Sequence, residues 1–324
     1  MDRRQFLATV AAGSAAAASP FAMAQEWPAN PVRWVVPYPP GGGTDVLART
    51  VAEAMRKTLN QTIVIDNRPG ASTNIGGQMV AGAKPDGYTI MSADNAILAY
   101  NEHLFSKLPF SPQNDFTYVG GISRFPLALV VHPSFEAKTM KEFLAYVRAN
   151  PGKVNYASPG NGSPHHLAME MFKNRTKTFL THIPYRGAAP AMADVMGGQV
   201  PCMFLDLASG LSVIQSGKVR ALAIGSAKRI ATLPDVPTLG EVGVADTEVF
   251  AFQGILGPKG LPANVTQRLN ADLNKALASP AVVKRMQDFG MEALPGTPEQ
   301  FRALARAEAK RWGEVIKAAG VKLD

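Results

Sequence analysis

The spacing of apolar positions changes period along the chain. Val32-Arg33-Trp34-Val35-Val36 is a short apolar run of strand type. After the turn Pro39-Pro40-Gly41-Gly42-Gly43, the residues Leu47, Val51, Met55 and Thr58 recur at helical spacing. This predicts a helix from Asp45 to about Leu59 with Thr44 as its cap. Asp45 in its first turn and Arg56-Lys57 in its last suit the helix dipole. Ile63–Ile65 and Tyr88–Met91 read as further strands. The pattern then restarts with a strand at Leu127–Val131. Thr139 and Glu142 form a capping box for a helix through Val147. A strand at Val154–Ala157 follows, then a glycine-rich loop. Ser163 as cap and Pro164 at the first helical position open the next helix. Phe179–Ile183, Met203–Leu205 and Val219–Ile224 add strands with helices between them. Such alternation predicts an α/β fold of mostly parallel sheets flanked by helices.

The tail behaves differently. Phe252–Leu256 reads as one more strand, and beyond Pro262 the chain is nearly all helix, amphipathic over Val265–Leu277 and Pro298–Ala319. A tail without a sheet of its own must pack on one already made. The expected division is therefore residues 25–124 with 250–324 as one domain and 125–249 as an insert. Two chain crossings would join them as a hinge. A length of 324 residues suits two domains of about 150 each.

The N-terminus changes the picture of where the chain works. Arg3-Arg4-Gln5-Phe6-Leu7 precedes an Ala-rich apolar run and Ala22-Met23-Ala24. This is a secretory signal of twin-arginine type over residues 1–24, cleaved after Ala24, and it predicts export to the periplasm. Composition adds limits. Hydrophobic content of 46% against 18% charged supports sizeable cores. The net charge of +8 is scattered rather than run together, so it reads as a solvated face with a mild pull on anions, not a nucleic-acid footprint. The single Cys202, in an apolar stretch, excludes an intrachain disulfide and a Cys-based zinc site.

Candidate chemistry gathers in two loops of one kind. The first contains Tyr38, Gly41, Gly42, Gly43, Thr44 and Asp45. The second contains Ser158, Gly160, Asn161, Gly162 and Ser163. Each joins a strand end to a helix start. Glycine lets backbone N–H groups turn toward a ligand, and a helix start adds free donors and a positive dipole end. Each loop is thus suited to an anion's oxygens, and ligands of such sheets bind beyond the carboxyl ends of the strands. Nucleotide fingerprints do not fit: the first loop lacks a P-loop lysine, and Val46 stands where a dinucleotide motif needs glycine.

These residues carry a resemblance. Val35 to Asp45 is similar to the opening signature of the Bug family, the extracytoplasmic receptors of tripartite tricarboxylate transporters. Asp66-Asn67-Arg68-Pro69-Gly70-Ala71, Asn155-Tyr156-Ala157-Ser158, Pro184-Tyr185-Arg186-Gly187 and Leu233-Pro234-Asp235-Val236-Pro237-Thr238 follow in the family's order. The resemblance covers essentially the whole chain after residue 24. It implies a two-domain periplasmic-binding-protein fold of the Venus-flytrap type II class. It also implies a small carboxylate ligand (a di- or tricarboxylate, an acidic amino acid or an aromatic carboxylate) clamped by the two loops. The implied partners are two integral-membrane transporter subunits, with the receptor itself a monomer. No catalytic residue, metal or cofactor is expected. The chain departs from the family at Ala93-Asp94-Asn95-Ala96, where Asp94 would repel a second carboxylate, and at Leu207 after Asp206. Around the loops, four readings stay open. Asp45 is a ligand contact or a dipole partner. His166 is a donor to the ligand or a packing residue. Tyr185 is a cleft wall or core. Asn95 and Asp206 stand at strand ends beside the ligand. Two rival functions remain: a sensor presenting ligand to a membrane histidine kinase, or an exported enzyme.

Overall fold

Residues 27–41, 43–244 and 247–323 are described by the computed structural model. The expected leader, its cleavage point and Gly42 lie outside the described residues. β1 (Val32–Val36) lies between β2 (Ile63–Asn67) and β3 (Thr89–Asp94), parallel to both, with Trp34 opposite Ile65 and Ile90. Helix α1 (Gly43–Leu59) connects β1 to β2, α2 (Asn74–Ala81) leads on to β3, and the short α3 (Asn101–Leu104) follows β3. α1 buries Leu47, Val51, Met55 and Leu59 against Val32, Trp34 and Val36. The helix begins at Gly43, so Thr44 lies inside its first turn and does not cap it as the pattern suggested.

β4 (Phe116–Val131) belongs to two sheets. Its residues 116–126 pair antiparallel with β9 (Phe250–Pro258), which in turn pairs with β3, Asp94 opposite Gln253. Its residues 127–131 pair antiparallel with β7 (Cys202–Asp206) and β8 (Arg220–Ile224). Beyond β7 lie β5 (Asn155–Ser158) and β6 (Thr181–Pro184), mutually parallel and parallel to β7. The short β10 (Glu292–Ala293) pairs with β4 at Arg124 and Ser123. The outer strands are therefore parallel, as the alternation of elements predicts. The strands shared between sheets are antiparallel, and the sheet system is mixed. The first half of β4 escaped the pattern because Gly120-Gly121 and two register shifts interrupt its periodicity.

The chain crosses between sheets twice, at Pro126-Leu127 and at Val249-Phe250. There Leu127 N–H donates to Val249 O (2.9 Å), Val249 N–H to Gly225 O (2.7 Å) and Gly225 N–H to Leu127 O (2.8 Å). Helices α4 (Met140–Ala149) and α5 (Pro164–Thr176) bury Phe143, Leu167 and Phe172 on one face of the second sheet. α6 (Ala188–Met196) and α7 (Leu207–Gln215) pack on the other, around Val195, Met203 and Leu205. α4 starts with the expected capping box, and Ser163 caps α5 through its hydroxyl to His166 N–H. In the tail, α8 (Ala263–Leu277) and α9 (Pro280–Asp288) join α1 in one core. α10 (Pro298–Ala319) is divided. Phe301 and Ala305 pack on the first sheet, whereas Ala309, Trp312 and Ile316 bury beside Tyr100, Phe172 and Phe204 of the second core. No helix among the described residues is long and apolar enough to cross a membrane.

This topology positions the loops. β9 starts at the crossing and runs antiparallel to β3, so the carboxyl ends of β3 and its parallel partner β1 point to the crossing. β7 ends opposite Leu127 at the same crossing, and parallel β5 ends there too. A π-helical turn (Ala96–Tyr100) after β3, and α1, α5 and α7 after β1, β5 and β7, all begin on this side. Four helix N-termini therefore face the space between the two sheets, a field that favours an anion.

Candidate functional site: two loops at the crossing

The first loop is organised by Asp45, which is 2% exposed. Its carboxylate accepts Gly41 N–H (2.9 Å), Asn67 Nδ2 (2.9 Å) and Arg49 Nε (3.0 Å). Burial alone would raise its pKa, but these donors outweigh burial and hold it below the ordinary value. Asn67 also donates to Tyr38 O (3.0 Å) and accepts from Arg49. Of the two readings left open, this geometry favours an internal role, since the oxygens are occupied by the loop itself. Helix α1 opens directly after this loop. Gly41 takes φ +83°, a left-handed conformation that glycine adopts without strain.

The second loop is held by uncharged groups. Ser158 Oγ lies 2.6 Å from His182 Nε2 and accepts Gly160 N–H (3.1 Å), and Ser163 Oγ donates to Gly160 O (2.7 Å). Gly162 N–H donates to His166 Nδ1 (3.0 Å), which fixes that nitrogen as unprotonated. The rings of His166 and His182 stack at 4.0 Å, with Tyr156 against His182 at 4.8 Å. Burial, together with the neighbouring His166 ring, lowers the His182 pKa to about 4, and burial lowers His166 as well. Both imidazoles are neutral at pH 7. His166 is thus a packing and loop-shaping residue, turned inward.

The other candidates divide. Asn95 is fully buried and bonds the start of β9, accepting Phe252 N–H at 2.7 Å, so it pins β3 beside the crossing. Tyr185 sends its hydroxyl to Asp194 (2.6 Å) and away from the loop, which raises its pKa to about 12 through burial and that carboxylate. Its backbone N–H still braces the second loop at Ser158 O (2.9 Å). Asp206 caps α7, accepting Ser209 N–H at 2.8 Å, and meets His165 Nε2 at 3.1 Å. Burial pushes its pKa up, but His165 and Ser209 hold it low. The adjacent His165 and His166 serve different partners and form no chelate. Arg68 donates to Asp66 (3.0 Å), a turn contact. Asn67 and His182 were missed as supports of the loops. Both are conspicuous only in space, since each acts through a loop far away in sequence.

A cavity of about 590 Å³ also opens along the crossing, lined by Arg124, Lys228, Phe250 and Met291, and no residue of either loop lines it. Arg124 there is paired with Glu292 at 3.0 Å.

Comparison with known proteins agrees with this architecture. The family model described as tripartite tricarboxylate transporter family receptor matches residues 47–321. Protein BugT of Bordetella pertussis is 36% identical over 319 residues, covering 98% of this chain and 96% of that protein. The solved structure of R. palustris Rpa4515 with adipate superimposes with a TM-score of 0.83 at 33% identity, covering 92% of this chain and 99% of that one. MatC from Rhodopseudomonas palustris with bound malate gives 0.78 at 33% identity, covering 90% and 100%. The structure of periplasmic binding protein BugD gives 0.80 at 37%, covering 91% and 99%.

Proposed function

The chain belongs to the family of tripartite tricarboxylate transporter receptors, and we propose that it captures a small carboxylate between its two glycine-rich loops and delivers it to two membrane subunits. The family is one of periplasmic receptors rather than enzymes. One observation carries the reading: both loops end strands that point to the same crossing, and each opens a helix there. Backbone N–H groups from opposite sides then converge on one anion without a formal positive charge. Adipate and malate in two related structures are dicarboxylates, which supports the ligand class.

In this reading residues 25–124 with 250–324 form one lobe and 125–249 the other. The crossings at Pro126-Leu127 and Val249-Phe250 are the hinge. The leader is removed after Ala24, and the receptor acts as a monomer. The test is a thermal-shift and calorimetric screen of small carboxylates against the same molecules as amides. A ligand at 100 times its Kd adds about 2.7 kcal/mol of stability. Carboxylates should stabilise and close the protein, seen as a smaller radius in solution scattering, while amides should not. Equal binding of acid and amide would end the reading.

A further inference from the structure

Four carboxylates stand at strand ends or the helix start on the crossing side: Asp66, Asp94 and Asp206 at the ends of β2, β3 and β7, and Asp45 in the first turn of α1. Two meet a guanidinium and a third a histidine ring. Asp45 has Arg49 at 3.0 Å, Asp66 has Arg33 and Arg68, and Asp206 has His165 at 3.1 Å. Asp94 has neither among the described residues. One of its oxygens accepts the Tyr38 hydroxyl and the other Ala96 N–H at 3.1 Å. The residue as a whole is partly exposed. Tyr38 O accepts from Asn67 Nδ2, which also holds Asp45 Oδ1, so one chain of hydrogen bonds ties Asp94 to the first loop. Burial raises the pKa of Asp94 despite the donors from Tyr38 and Ala96, and burial and the Asp94 charge raise that of Tyr38. An anion with phenol and amide partners, but no cation, becomes costly once a closing cleft removes water.

We propose that Asp94 is a specificity-determining residue that receives the ammonium end of the ligand, so that this receptor selects amino-carboxylates over dicarboxylates. The inference rests on the carboxylate reading above. The loops hold the ligand's carboxylate, and Asp94 meets the opposite charge at its other end. A dicarboxylate places its second anion against Asp94, and such juxtaposition is strongly disfavoured in a desolvated site.

The experiment pairs ligands of equal length: 4-aminobutanoate with succinate, and 6-aminohexanoate with adipate. Each is titrated calorimetrically into the wild type, Asp94→Asn and Asp94→Glu. In the wild type the amino member of at least one pair binds about tenfold tighter or more. In Asp94→Asn that ratio collapses by about tenfold, with the dicarboxylate gaining affinity, and Asp94→Glu preserves it. A merely structural Asp94 would weaken both members alike. An unchanged ratio, or a wild type preferring the dicarboxylates, overturns the proposal and leaves the carboxylate reading standing. Failure of the wild type to bind either series or any small carboxylate overturns both.

Discussion

The two loops reach the same geometry by different chemistry. The first is built around a buried charge, Asp45, which gathers Gly41, Asn67 and Arg49. The second has no charged group at its centre. Hydroxyls of Ser158 and Ser163 and the neutral rings of His166 and His182 shape it instead. Both join a strand end at the crossing to a helix start. Shaping such a loop therefore does not demand a particular side-chain set. It demands that the polar atoms of the loop be satisfied within it.

The comparison breaks most sharply at Gly162. Its φ is +72°, and a Cβ there would sit 2.9 Å from Leu104 Cδ1 and Leu323 Cδ1. Gly162→Val combines backbone strain with overpacking and should destabilise by about 3 kcal/mol, measured by denaturant unfolding. Asp45→Ala in the first loop leaves several donors unmet and should destabilise by about 2–3 kcal/mol. Gly41→Ala should cost only about 1 kcal/mol, because its φ is strained but no atom lies within 4 Å of the new Cβ. A Gly41→Ala loss equal to that of Gly162→Val would show that packing, and not conformation alone, shapes the first loop as well.

Acid separates the loops further. The folded protein keeps His182 neutral down to about pH 4, against an ordinary value of 6.5. The unfolded chain takes up that proton first, so stability falls as pH drops from 6.5 toward 4. Asp45 has the opposite charge but the same direction. Its contribution is present above the ordinary carboxylate value and is lost only as pH falls through its lower folded pKa. The second loop should thus weaken at milder acidity than the first. His182→Asn should flatten the slope of melting temperature between pH 6.5 and 4, while Asp45→Asn should leave that slope in place. An unaltered slope in His182→Asn would assign it to other groups.

Much of this molecule could be read before any fold was visible. The period of apolar residues located β1, α1 and the outer strands, because each buries one face and local spacing records which face that is. The capping box at Thr139 and the cap at Ser163 were legible because a cap and its helix are adjacent in sequence. The same holds for the two glycine-rich loops, each of which joins a strand end to a helix start within a few residues. What spacing could not express was decided by packing across long separations. β4 serves two sheets, and its glycines and register shifts erase a clean period. α10 divides its apolar face between two cores, a choice made by the surfaces it meets and not by its own pattern. Asp45 turned inward, His166 stacked on His182, and Asp94 stayed without a cation because of residues some 15 to 60 positions away, namely Asn67, His182 and Tyr38. Local sequence determines which groups are offered, but whether a buried polar atom is satisfied or left for a ligand depends on what the fold brings beside it.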